Sequence, residues 1–336
     1  MPVAAYAVAS DTGRKRRRNE DNYVVAPPLF AVADGMGGAQ AGEVASQLAA
    51  SALEGGNSDA PDGPQRIDEL IQEANRRIFD RASTDPSASG MGTTMTVAVV
   101  EGMTVAIGHV GDSRAYLVRG EQMEQLTEDH SLVNELLKSG KLSEEEAQVH
   151  PQRSVITRAV GTDPDVDVDA FTLEAEEGDV FLICSDGLSD MVEDEEILEL
   201  LHQNRDDLDK AVKALVAAAN RGGGEDNITA VAFRISSEAA PNLEDTVAMP
   251  ALTFDEDEPD EQTREYADYA REPQPKPDPG GDTMVVAPGE LETQASKTVL
   301  QAPGEPVADS RRVRVVLIAV VVLAVAAALL VWGLVR

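Results

Sequence analysis

Over the first 236 residues the hydrophobic positions follow two rhythms, and these predict the elements in order. Val3 to Ala9 reads as a strand, and Asn22 to Ala26 pairs with Leu29 to Ala33 across Pro27-Pro28 as a second and third. Small and apolar residues at 41, 44, 45, 48, 49 and 52 predict a helix over Ala41 to Leu53. Ile67, Leu70, Ile71, Ala74 and Ile78 predict another over Pro64 to Ala82. Gly90-Met91-Gly92-Thr93-Thr94 then opens a strand through Val100, Gly102 leads into a second ending at Gly108, and Arg114 to Arg119 is a third, a run of hairpins expected to form an antiparallel sheet. Between Thr127 and Thr162 the chain turns polar, with helices at Ser131 to Ser139 and from Ser143, and is read as a mobile flap over a site. Asp179 to Ser185 is again a strand, Asp194 to His202 and Asp206 to Asn220 are helices, and Ile228 to Ile235 closes the pattern. Helices segregated onto the outer faces of two packed antiparallel sheets satisfy this order. The fold class is therefore α+β, a four-layer α-β-β-α sandwich.

Periodicity stops after Ser236. Residues 237–310 are rich in Pro and Gly and contain an acid run from Asp255 to Glu261, the composition of a disordered linker. Asp245-Thr246-Val247, Asp282-Thr283-Met284-Val285 and Lys297-Thr298-Val299 echo one another within it; chance in a biased tract and phosphorylation sites read by a partner both remain open. Residues 311–336 differ again, because Val315 to Val335 carries no charge over 21 residues. As a helix it spans roughly 32 Å, the thickness of a bilayer core. With Arg311, Arg312 and Arg314 before it, the reading is one transmembrane helix in the plasma membrane, with everything N-terminal in the cytoplasm. The N-terminus lacks the apolar core of a signal peptide, in keeping with that orientation.

Charge narrows the function further. The net charge is −33, and residues 1–236 alone carry 20 basic against 43 acidic side chains. Such a field disfavours nucleic acid as a partner and favours cations. A single cysteine, Cys184, rules out an internal disulfide and a cysteine-based zinc site.

The acids that end or begin strands are the candidate chemistry. Leu29 to Ala33 runs into Asp34-Gly35, and Val180 to Ser185 runs into Asp186-Gly187. Glu20 and Asp21 precede the strand that pairs with Asp34, and Asp112 and Asp226 sit in Gly-Asp-Ser-Arg and Gly-Glu-Asp-Asn. One Asp-Gly is a turn signal; several such acids at strand ends suit hard cations, magnesium or manganese. Two such ions about 3.5–4 Å apart serve in-line displacement at phosphorus by an activated water. The basic run Arg14 to Arg18 offers a phosphate-binding cation, although a solvated patch or a contact with anionic membrane also accounts for it.

Taken in order, Ser10-Asp11-Thr12-Gly13 with Arg16 and Asn19-Glu20-Asp21, Val32 to Gly38 with Ala41-Gly42-Glu43, and Gly92-Thr93-Thr94 form the first part of a pattern. Gly111-Asp112-Ser113-Arg114, His150-Pro151-Gln152-Arg153, Ser185 to Asp190 and Gly224 to Asn227 complete it. In this combination the chain resembles the bacterial type 2C metal-dependent serine/threonine protein phosphatases over residues 3 to about 235. The resemblance implies two manganese or magnesium ions bridged by Asp34, with the Gly35 carbonyl on one of them. It implies Asp186 and Asp226 on the second ion, Glu20 or Asp21 holding it directly or through water, and Asp112 at a third, weaker site. Arg16 matches the phosphate-binding arginine by its spacing from Gly13, with Arg14 or Arg17 as substitutes if the loop slips. Phosphorylated proteins are the implied partners, among them a membrane-bound Ser/Thr kinase and its substrates. A histidine that follows Asp-Gly in some members is Met36 here, so the proton donor to the leaving group is unassigned.

Three alternatives compete. A cysteine phosphatase needs an arginine six residues after its cysteine, and that position is Asp190. A two-metal nuclease conflicts with the charge. A catalytically weak, membrane-tethered phosphopeptide-binding regulator predicts a missing ligand among these acids, and none is missing.

Overall fold

The computed structural model describes residues 2–37, 41–54, 63–236 and 284–285. The chain divides into a unit of residues 1–287 and a second of residues 288–336. The apolar run at 315–335, the acid run at 255–261 and the linker threonines lie outside the described residues.

The elements are β1 (Val3–Asp11), β2 (Asp21–Ala26), β3 (Leu29–Met36), α1 (Ala41–Glu54), α2 (Pro64–Thr84), β4 (Gly92–Thr93), β5 (Met95–Glu101), β6 (Thr104–Val110), β7 (Arg114–Arg119) and β8 (Gln122–Gln125). After them come α3 (Leu132–Lys138), α4 (Glu144–Gln148), β9 (Val155–Ile156), β10 (Asp169–Glu174), β11 (Val180–Cys184), α5 (Asp186–Ser189), α6 (Asp194–Gln203), α7 (Leu208–Gly222), β12 (Ile228–Ile235) and β13 (Met284–Val285). One sheet has the order β1-β12-β11-β7-β8 and the other β10-β6-β5-β3-β2, with β4 beside β3. Every pairing within the two sheets is antiparallel. β13 pairs with β9 in parallel over two residues.

Strand alternation builds the layers. Phe30 and Val32 of β3 point between the sheets with Ile107, Leu117, Phe181, Val231 and Phe233. There the Phe233 ring stacks on Phe30 at 4.2 Å and on Phe181 at 5.0 Å between centroids. Ala31 and Ala33 point the other way and pack under α1 and α2. On the far sheet, Leu182, Ala230 and Ala232 lie beneath α6 and α7. Two antiparallel sheets flanked by helices are thus observed, as the pattern predicted.

The sheet assignment of the hairpins differs from expectation. β5 and β6 lie in one sheet, but β7 lies in the other, between β11 and β8. Gly111-Asp112-Ser113 carries the chain across the interior instead of turning it back within a sheet. That crossing places Asp112 at the same end of the sandwich as Asp34 and Asp186.

Candidate metal centre

The centre forms where both sheets end. Asp21 and Asp34 stand opposite each other in the β2–β3 register. Asp186 follows β11 as the first residue of α5, and Asp226 precedes β12. Asp21 and Asp34 form the terminal pair of the β2–β3 ladder and Asp186 and Asp226 lie just beyond strand ends, so a fixed backbone aims all four.

The backbone around Asp34 is locked. Its N–H donates to Thr94 Oγ1 at 2.9 Å, and its carbonyl accepts from Thr93 Oγ1 and from Thr94 N, both at 2.8 Å. The Thr94 hydroxyl also meets Ser113 Oγ at 2.7 Å, tying this strand end to the crossover that holds Asp112. Gly35 is required for a different reason. A Cβ there would stand 2.0 Å from the Gly42 carbonyl oxygen, so only glycine lets the start of α1 approach.

Asp21 is buried, and its Oδ2 accepts from Ser185 Oγ at 2.8 Å and Thr229 Oγ1 at 2.7 Å. Its Oδ1 has no hydrogen-bond partner, nor does Asp186 Oδ1. Of the four buried side-chain atoms left without a partner among the described residues, two are therefore carboxylate oxygens of this one cluster. A buried carboxylate oxygen without a donor costs about 1–3 kcal/mol or more, unless a cation meets it.

Electrostatics points the same way. Burial first, then the charges of Asp21, Asp186, Asp226 and Asp112, push Asp34 well above the ordinary carboxylate range. Asp186 is pushed up by burial and then by Asp112, Asp190, Asp226 and Asp21. Burial raises Asp21 to about 6, despite the two hydroxyls that favour its charged form. Acids that resist ionisation through lack of water and mutual repulsion are those a divalent cation relieves.

Among the described residues no group of three or more such ligands closes round a single point. The fit to hard cations rests on the bare oxygens, the all-oxygen donor set and the mutual repulsion. Asp112 is raised to about 7 by burial and then by Asp129 and Asp190. It lines a cavity of about 30 Å³ with Asp129, Arg153, Ser154, Asp186 and Asp190. That volume holds one or two water-sized occupants.

Of the five consecutive cations, Arg16 is the one turned inward. Its Nη2 donates to Asp226 Oδ2 at 2.8 Å, both side chains being a quarter exposed. The loop is pinned by Asn227, whose Oδ1 accepts from Glu20 N at 2.8 Å. Its Nδ2 donates to Thr12 O at 2.9 Å and to Arg18 O at 2.8 Å. Gly13 turns the loop at φ +78°, where a Cβ would stand 2.1 Å from the Asp226 carbonyl. Asn227 and Thr94 are positioning residues that the sequence pattern includes without assigning a role; their side chains bond to backbone, and spacing does not reveal that.

Met36 is buried against Ile156 and Ala159 of the 127–162 segment, so the position after Asp-Gly packs that segment down. Cys184 is fully buried, with its thiol pushed up to about 12 by burial, as an inert core residue requires.

The chain is similar to known proteins over the region that carries these residues. The profile of the family described as Protein phosphatase 2C matches residues 15–227. Over 231 residues the chain is 42% identical to "Serine/threonine phosphatase stp" of Listeria innocua serovar 6a, covering 66% of this chain and 91% of that protein. It is also 42% identical over 231 residues to "Serine/threonine protein phosphatase PstP" of Mycobacterium tuberculosis, covering 68% of this chain and 44% of that longer protein. The crystal structure of the M. tuberculosis phosphatase PstP/Ppp superposes with a TM-score of 0.66 at 41% identity, covering 70% of this chain and 99% of that one. The catalytic domain of PstP in complex with two manganese ions gives 0.64 at 39% identity, covering 70% and 99%.

Proposed function

This chain belongs to the protein phosphatase 2C family of metal-dependent serine/threonine protein phosphatases, and from that premise we propose how its residues carry the reaction and where. Manganese or magnesium would be held by Asp34 and the Gly35 carbonyl, by Asp186 and Asp226 with Glu20 or Asp21 directly or through water, and more weakly by Asp112 at the cavity it shares with Asp186. When bound, the ions supply Lewis acidity and lower the pKa of the attacking water.

The observation that carries this assignment is the convergence of Asp21 and Asp34 from one sheet with Asp186 and Asp226 from the other, two of their buried oxygens being unpartnered. Arg16 orients the phosphoryl group. Its planar head has five donors, so it can serve a phosphoryl oxygen while Asp226 holds it in place. Asn227, by fixing Thr12, Arg18 and Glu20 together, keeps Arg16 at the edge of the acids. Thr93 and Thr94 hold the Asp34 backbone rigid. An apolar side chain at Met36 offers no proton, so the leaving alkoxide of phosphoserine or phosphothreonine takes its proton from elsewhere in the site.

The setting we propose is a membrane. Among the described residues no helix is long and apolar enough to cross one, and the run at 315–335 lies outside them. Its length without charge supports a single-pass anchor in the plasma membrane, with residues 1–236 as the cytoplasmic catalytic domain, 237–310 as linker and 311–336 as anchor. Tethering raises the effective concentration of substrates held at the same surface, which makes a membrane-bound Ser/Thr kinase and its targets the natural phosphoproteins.

Chelation followed by metal return tests the chemistry on the full chain. Hydrolysis of a phosphothreonine peptide is lost with chelator and restored by manganese; turnover that persists through chelation contradicts the reading. Fractionation of cells tests the anchor. The full chain is expected with membranes and a chain ending at residue 310 in the soluble fraction, while equal partition of both contradicts it.

A further inference from the structure

The site uses one of the five consecutive cations between β1 and β2, and the other four face solvent. We infer that Arg14, Lys15, Arg17 and Arg18 form a specificity rim selecting phosphorylated segments whose target residue is flanked by further negative charge, either acidic side chains or a second phosphate. The inference rests on the assignment of Arg16 as the phosphoryl-binding residue.

Four of the five side chains are exposed, and only Arg16 turns in to Asp226. Their loop is nevertheless held in place. Arg14 N and Lys15 N donate to the Gly224 carbonyl at 2.7 and 3.2 Å, and Asn227 clamps Thr12 O and Arg18 O. Arg18 reaches Glu43 on α1 at 3.4 Å, and Arg153 of the 127–162 segment reaches Glu225 at 3.5 Å. Arg14 lies on the other side, in a groove between β1 and α7. The rim thus runs from α7 past the metal centre to α1. Arg14, Lys15 and Arg17 enter no ion pair among the described residues. The five rim cations, Arg153 included, outnumber Glu43 and Glu225 in a domain that otherwise carries a large negative excess.

Charge decides the substrate class. The domain as a whole repels an acidic peptide at long range, whereas screening limits each charge to about 8–10 Å at physiological salt. Residues two to four positions from the target serine or threonine lie roughly 7–14 Å along an extended peptide. Flanking groups therefore feel the rim more than the distant acids. Each exposed ion pair is worth about a two- to fivefold effect, so two or three acting together give about tenfold.

The test uses the full chain in neutral detergent with manganese and three phosphothreonine peptides of equal length, flanked by neutral residues, by Glu and Asp, or by a second phosphothreonine. The expected result is a kcat/KM about tenfold higher for a charged flank, gained in KM and shrinking as salt rises. Lys15→Ala/Arg17→Ala reduces that advantage to within twofold, while Lys15→Arg/Arg17→Lys retains it. If both charged peptides gain, charge alone is read; if only the doubly phosphorylated one gains, phosphate is. Equal kcat/KM for all three peptides overturns the inference and leaves the phosphatase assignment standing, as does an advantage that survives in the alanine pair. No hydrolysis of any peptide refutes the assignment itself. Equal kcat/KM together with Lys15- and Arg17-dependent binding to vesicles containing anionic lipid overturns the inference in favour of a membrane contact.

Discussion

Asn227→Ala tests how the loop bearing Arg16 is held. The substitution removes three hydrogen bonds of 2.8–2.9 Å and leaves the Glu20 N–H and the Thr12 and Arg18 carbonyls without their partner. At about 1 kcal/mol net per bond, the loss is about 3 kcal/mol, a large share of the roughly 5–15 kcal/mol that holds a domain folded. Activity falls further than stability implies, because the same clamp sets the distance from Arg16 to the acids. A misplacement near 1 Å costs about a hundredfold in rate. Asn227→Asp keeps an acceptor for Glu20 N but turns a carboxylate oxygen on two carbonyls, so it loses activity at least as severely. Urea denaturation at saturating manganese, alongside phosphopeptide kcat/KM, measures both. An alanine variant within 0.5 kcal/mol of wild type by the standard of ordinary surface changes, with unchanged kcat/KM, refutes the clamp.

Two other outcomes follow from charge and burial. Burial, aided by His130, lowers His109 from 6.5 to about 4. Between those values the unfolded chain binds a proton that the folded one refuses, so His109 makes stability fall as pH drops from 6.5 towards 4, by about 3 kcal/mol in all. His109→Gln removes that slope in denaturation midpoints, and parallel profiles for wild type and variant contradict it. Asp186→Asn removes one of several mutually repelling acids. It is expected to raise the melting temperature in chelator by about 2–4 °C for each kcal/mol of repulsion relieved, and to shrink the gain from manganese; an undiminished manganese gain argues against Asp186 as a ligand.

Much of the fold was legible because buried strands alternate cleanly between two apolar layers. β3 sends Phe30 and Val32 to one face and Ala31 and Ala33 to the other, and the amphipathic periods of α1 and α2 match the face they cover. Of the strands that escaped detection, β8 and β10 are the outer members of the two sheets, and β9 and β13 are two-residue strands paired with each other. With one neighbour and much solvent, Gln122–Gln125 and Asp169–Glu174 need little apolar alternation. The transfer of β7 to the second sheet was hidden because Gly111-Asp112-Ser113 looks like a tight turn, and no local signal distinguishes a turn from a crossover. In the site, acids at strand ends were readable individually. What joins them was not: the Asn227 clamp, the Thr94 bridge and the Arg16–Asp226 pair link residues about 60 to 215 positions apart.

The central claim is that Asp34 holds the ions that make this chain a phosphatase. Its most direct test is manganese-dependent hydrolysis of a phosphothreonine peptide by the full chain and by Asp34→Asn, with manganese binding measured on both. The account predicts metal-dependent turnover in wild type and, in the variant, weakened manganese binding with turnover reduced about a hundred- to a thousandfold, the scale on which losing a principal electrostatic stabiliser acts. A variant that binds manganese and hydrolyses the peptide as wild type does contradicts it.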